Sequence, residues 1–99
     1  MLDVKYALED FEPHVGTDFK VIHDGDAVIL LTLLEAHALK DYRNGDGRPP
    51  FGLLLQSVFQ EVIPQQLFSL HHDAMGDLGI FLVPTARNET GIQYYATFN

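Results

Sequence analysis

Hydrophobic and polar positions alternate along much of the chain with the period of a strand. From Ile92 to Asn99, Ile92, Tyr94, Ala96 and Phe98 share one face, while Gln93, Tyr95, Thr97 and Asn99 share the other. Phe19 to His23 behaves the same way, with Phe19 and Val21 set against Lys20. Further strands are read at Phe51 to Phe59, Leu67 to His71 and Leu78 to Val83. Val28 to Leu39 supports two readings. Its β-branched opening favours a strand, whereas Leu33-Leu34-Glu35-Ala36 suits a helix equally well. One long, bent strand is the reading adopted.

The only helical spacing elsewhere is Leu8, Phe11 and Val15, which predicts a short helix near residues 7–15. Glu9 and Asp10 suit its first turn, Gly16 suits its stop, and Pro13 predicts a kink or two separate turns. Turn residues recur at Asp24-Gly25-Asp26, Asn44-Gly45-Asp46-Gly47, Pro49-Pro50, Pro64, Asp73 to Gly79 and Asn88 to Gly91. Short pieces between such breaks describe a mainly β chain. The expected fold is an antiparallel meander of about six strands curled into a small barrel or sandwich, with one short N-terminal helix. Phe51, Phe59, Phe68, Phe81, Tyr94 and Phe98 are assigned to its core. With 99 residues the chain is a single domain, 1–99.

Composition narrows the functional classes. Fourteen acidic against six basic residues give a net charge of -8, which phosphate backbones and anionic lipid surfaces repel, so neither nucleic acid nor a membrane is an expected partner. There is no cysteine, hence no disulfide framework, thiolate zinc site or cysteine nucleophile. Met1 to Asp10 lacks the basic start and apolar stretch of a secretory signal. The apolar run Ala27 to Leu34 falls far short of the roughly 20 residues of a spanning helix. A cytoplasmic protein is expected, with later incorporation into an extracellular assembly left open.

Candidate chemistry is sparse. His71-His72 is the densest histidine pair, but neighbours on a strand point to opposite faces and cannot easily grip one ion. Glu35 and His37, two apart, share a strand face, and a carboxylate there can fix an imidazole tautomer for base catalysis or ligand binding. No serine sits in a nucleophile motif beside them. Asn44-Gly45-Asp46-Gly47 resembles part of a calcium loop, yet that register places Tyr42 and Leu53 where carboxylates are required. It is read as a hairpin loop. Gly76-Asp77-Leu78-Gly79 is too short for a dinucleotide fingerprint and is read as a turn. Neither a metal nor a cofactor is expected, and catalytic residues are unassigned.

Several ordered motifs carry a resemblance. Glu9-Asp10-Phe11-x-Pro13-x-Val15-Gly16-x-x-Phe19 opens the chain, and Pro50-Phe51-x-Leu53-Leu54 follows in the middle. Leu70-His71-x-x-x-x-Gly76-x-Leu78, Phe81-Leu82-Val83-Pro84 and Tyr94-x-Ala96-x-Phe98-Asn99 complete the set. Together they resemble a family of small bacterial proteins catalogued only as a domain of unknown function. The resemblance implies no activity, cofactor or catalytic residue. Members sometimes accompany phage-tail-like collar or fibre proteins, which implies an assembly role. This chain departs from the pattern at Ala7, where a Ser or Thr helix cap is usual, and at Gln56-Ser57-Val58, where a basic residue and glycine are expected.

The leading expectation is a non-enzymatic interaction or assembly module that binds a protein partner or a second copy. Tyr95, on the face opposite Tyr94, is the contact residue expected, with Thr97 beside it on a strand edge formed by Ile92 to Asn99. One alternative is a small β-barrel ligand-binding protein or enzyme using Glu35 and His37. Another is an acidic immunity-type inhibitor that masks a basic partner through its charge.

Overall fold

The computed structural model describes residues 6–23, 27–40 and 49–98. The expected turn at Asp24-Gly25-Asp26, the loop Asn44 to Gly47 and Asn99 lie outside these residues. Helix α1 covers Leu8–Phe11, and a 3₁₀ turn, Glu12–His14, follows directly. These are the two separate turns that Pro13 predicts, since proline brings no N–H to a continuous helix. Ala7 makes no side-chain cap, but the Asp10 carboxylate accepts the Ala7 N–H at 2.8 Å. Gly16 then takes φ +91°, a conformation open to glycine, and its N–H donates to the Leu33 carbonyl at 2.7 Å.

Six strands follow: β1 (Asp18–His23), β2 (Ala27–Ala38), β3 (Phe51–Ser57), β4 (Gln66–His72), β5 (Gly76–Arg87) and β6 (Ile92–Phe98). They close into an antiparallel barrel in the order β1-β2-β3-β6-β5-β4. The chain builds two three-strand meanders, β1-β2-β3 and β4-β5-β6, and joins them through residues 58–65. The segment expected at Val28 to Leu39 is a strand, bent as expected, and β2 spans Ala27–Ala38. Leu33 pairs with Leu55 and Glu35 with Leu54, so Leu34 is an extra residue that forms a bulge. A second bulge lies in β5 between Pro84 and Ala86, the position at which a strand tolerates proline.

Three strand boundaries differ from expectation by two residues or more, each for a local reason. Strand β3 stops at Ser57, short of Phe59, because the Ser57 hydroxyl accepts the Phe59 N–H at 2.8 Å and curls the chain away. Strand β5 begins at Gly76, so Asp77-Leu78-Gly79 belongs to the strand and only Gly76, with φ +77°, serves the turn. It also runs on past Val83, since its first half pairs with β4 and its second with β6.

One buried apolar cluster draws on all six strands, on Phe11 from α1 and on Ile63 from the link between β3 and β4. Phe11 is fully buried against Phe51 and Phe98, which stack at 4.5 Å, and so plugs the helix end of the barrel. Ile63 belongs to the opposite end, where its N–H donates to the phenol oxygen of fully buried Tyr94 at 3.1 Å. The core assignment fails for Phe81, which is 52% exposed. Ile80 and Leu82 hold the inner face of β5, and a period of two sends the residue between them outward. Phe59 is half-buried and packs at the margin of the cluster.

Gln56, in the stretch Gln56-Ser57-Val58 where the resemblance implies a basic residue and glycine, has a structural task. Its side-chain amide donates to Asn88 Oδ1 at 3.2 Å, and Asn88 Nδ2 donates back to Gln56 Oε1 at 2.8 Å. Asn88 Oδ1 also accepts the N–H groups of Thr90 and Gly91, which ties the β5–β6 turn to the end of β3. Asn88→Ala is expected to cost about 1–3 kcal/mol, because it leaves the buried Gln56 amide short of a partner. Asn88→Asp, which keeps the acceptor for the turn but loses the donor, should fall between the two. Thermal unfolding of both variants checks this, and an alanine variant as stable as the parent contradicts it.

Candidate functional site

The barrel interior is occupied by apolar side chains from every strand; Gln56, Ser57 and His72 are buried, and the other polar groupings of the described residues lie on the outer wall. The bulge at Leu34 decides where Glu35 and His37 point. Ile29, Leu31 and Leu33 face inward, and unbroken alternation would send Glu35 and His37 in after them. The extra residue reverses the pattern. Ala36 turns toward the core, and Glu35 and His37 stand outside, opposite Leu54 and Gly52 of β3.

There His37 meets Tyr95, one of the two residues expected on other grounds to make contacts. Tyr95 crosses β3 from β6, and its phenol oxygen lies 2.8 Å from His37 Nε2. Thr97 is exposed and pairs with Gly52 in the register of β3 and β6. Glu35 Oε1 is 3.8 Å from His37 Nδ1, close enough to orient the ring electrostatically but beyond a hydrogen bond. Burial raises the Tyr95 phenol above its ordinary value of 10.0, and the Glu35 carboxylate pushes in the same direction. The phenol therefore keeps its proton at neutral pH and shares a hydrogen bond with His37 Nε2.

Gly52 makes this arrangement possible. A Cβ there would sit 1.8 Å from the Tyr95 phenol oxygen and 3.2 Å from His37 Nε2. Sequence reading assigned Gly52 no part. A lone glycine inside an apolar strand does mark close approach by another group, so a signal was present. The expected edge at Ile92 to Asn99 does not exist, because β6 pairs with β3 on one side and β5 on the other. Closure of the barrel consumes the groups that would receive a partner strand there.

His71 and His72 point to opposite faces, as their spacing requires. His72 is buried, while His71 stands outside with Nδ1 2.8 Å from Asp77 Oδ1. Its partner lies across the hairpin and is not the adjacent Asp73. Ser69, His71, Asp77 and Gly79 line a shallow open groove between β4 and β5. Both members of the pair are solvent-exposed, so it contributes little energy. Among the described residues, no group of three or more His, Asp or Glu side chains is placed to share a metal ion.

Next to this groove, Leu67 and Phe81 pair directly across β4 and β5, 66% and 52% exposed. Val83, two residues beyond Phe81 on the same face, pairs with Tyr95, which pairs in turn with Leu54. An apolar row thus crosses four strands and ends at the Tyr95–His37 contact.

These features define a small closed antiparallel barrel with a filled interior and its polar and apolar side-chain groupings on the outer wall. Among the described residues, no helix is long and apolar enough to cross a membrane. The chain belongs to the family described as Domain of unknown function (DUF6916), whose model matches residues 6–98. No curated protein and no solved structure matches it.

Gly52→Ala should displace the Tyr95 ring and cost about 1–3 kcal/mol, within the usual span of a substitution that forces a packed group to move. In a Tyr95→Ala background the same change should be nearly neutral or slightly stabilising, because alanine suits a strand better than glycine. A double-mutant cycle on unfolding free energies measures the difference. Additive effects would mean that Tyr95 does not lie over Gly52.

Proposed function

We propose that this protein is a non-enzymatic interaction module that docks a protein partner on the outer wall formed by β4, β5 and β6. The carrying observation is the facing pair Leu67 and Phe81, both more than half exposed on adjoining strands. Single exposed apolar residues are ordinary, but a contiguous row costs solvation in the free protein and regains it only when covered. Val83 and Tyr95 extend the row, and Tyr95 reaches the interface with its hydroxyl already held by His37. A tyrosine fixed in this way loses little side-chain freedom on binding.

The net charge of -8 selects the kind of partner. It repels a second copy of the chain and attracts a protein whose apolar contact is rimmed by lysine or arginine. An acidic inhibitor of a basic protein is one form of such a module. A component of a phage-tail-like assembly is the form that the family resemblance implies. The alternative of Glu35–His37 chemistry has less support, because His37 Nε2, the nitrogen that would face a substrate, is engaged by Tyr95.

A photo-crosslinking residue placed at position 69, beside the row, should join the protein to one cationic partner in native lysate. The joint substitution Leu67→Ser and Phe81→Ser should then weaken binding of that purified partner roughly tenfold or more, about 1.4 kcal/mol, with little change in melting temperature. Raised salt should weaken the parent complex as well. Binding unchanged in the double variant overturns the proposal, as does sedimentation of the parent as a stable dimer held by this face.

A further inference from the structure

We propose that His72 is an acid-sensitive latch at the weakest seam of the barrel, and that its protonation frees the β4–β5 turn from the segment leading into β1. The seam between β1 and β4 is short. Its register holds two residue pairs, Lys20 with His71 and Val21 with Leu70, whereas β1 and β2 share six and β4 and β5 share seven. Beyond Lys20 the junction toward the helix end is carried by side chains. His72 packs its ring against Phe19 at 4.5 Å, and its Nε2 lies 2.9 Å from the Thr17 hydroxyl.

The hydrogen bonds fix the tautomer from both ends. Nδ1 accepts the backbone N–H of Ala74 at 3.0 Å and of Met75 at 3.2 Å, so it carries no proton. The Thr17 hydroxyl donates its one hydrogen to the His14 carbonyl at 2.5 Å and must therefore accept from His72 Nε2–H. One neutral imidazole thus holds the hairpin turn with one nitrogen and the segment before β1 with the other. A second proton can enter only at Nδ1. The imidazolium would then point a donor at two donors and could no longer accept either amide.

The charged and titratable neighbours act on the same proton. Burial lowers the His72 affinity for it below the ordinary value of 6.5, and His14, from the 3₁₀ turn, works in the same direction. Asp73, next in the turn, opposes them, while His71, preceding on β4, adds to the lowering. The His14 ring lies 4.6 Å from that of His72, so the two cannot both become cations without repulsion. As pH falls below about 6.5 the unfolded chain takes up a proton that the folded chain resists, so stability falls until His72 itself is protonated and then levels off. The latch does not depend on the docking wall, and either can fail without the other.

Backbone amide exchange and the ring nitrogen shifts of His72, followed by NMR between pH 7.5 and pH 5, test the latch. At pH 7.5 the ring should show the Nε2–H tautomer. On acidification, protection at Ala74 and Met75, corrected for intrinsic exchange, should drop at least tenfold in step with proton uptake by His72. In His72→Asn the side-chain oxygen can replace Nδ1 as a non-titrating acceptor, and protection at both amides should stay level across the range. Uptake of the proton with protection retained overturns the proposal, and so does an equal loss of protection in His72→Asn. If that variant does not fold, the ring and amide titrations of the parent protein decide alone.

Discussion

Closure of the barrel is the constraint on which the other features depend. A strand left at an edge exposes unpaired N–H and C=O groups, and joining the first meander to the second removes both edges at once. The two joining seams are unequal. Strands β3 and β6 pair over six residues in register, from Phe51 with Phe98 to Gln56 with Gln93, while β1 and β4 pair over two. The shorter seam is completed by the side chains of His72, Thr17 and Phe19. A buried histidine at that place closes the wall where backbone bonds run out.

Closure also forces a strict division between inside and outside, and two bulges keep the chain within it. The bulge at Leu34 puts Ala36 toward the core and keeps a carboxylate and an imidazole on the outer wall, where polar groups need not give up all contact with water. It bends β2 as well, so that the strand can follow the barrel past its helix end. Plugs from Phe11 at one end and Ile63 at the other complete the burial that the six strands leave open at the barrel ends.

The outer wall then holds what the interior does not need. Gly52, lacking a side chain, opens a space into which Tyr95 lies to reach His37 across an intervening strand. The same ring continues the apolar row that starts at Leu67 and Phe81. Residues from β2, β3, β4, β5 and β6 are thereby joined into one surface.

Much of the architecture was legible from the residues alone. Alternation placed Ile92, Tyr94, Ala96 and Phe98 inside, and Pro13 with Gly16 set the form and the end of the helical segment. These are local effects of backbone geometry, carried by a few neighbouring side chains. The same period of two, applied to Ile80-Phe81-Leu82, puts Phe81 outside, although its aromatic character alone points to the core. Other features involve residues far apart in the chain. Nothing near Glu35 says that Leu34 will bulge, since that depends on its pairing with β3. Nothing near Tyr95 names His37, 58 residues away. Nor does His72 announce Thr17, because that contact exists only once β1 and β4 have met. Local sequence determined which residues prefer a strand, a turn or the interior, while the tertiary structure alone decided which strands adjoin, and therefore which side chains can form a site.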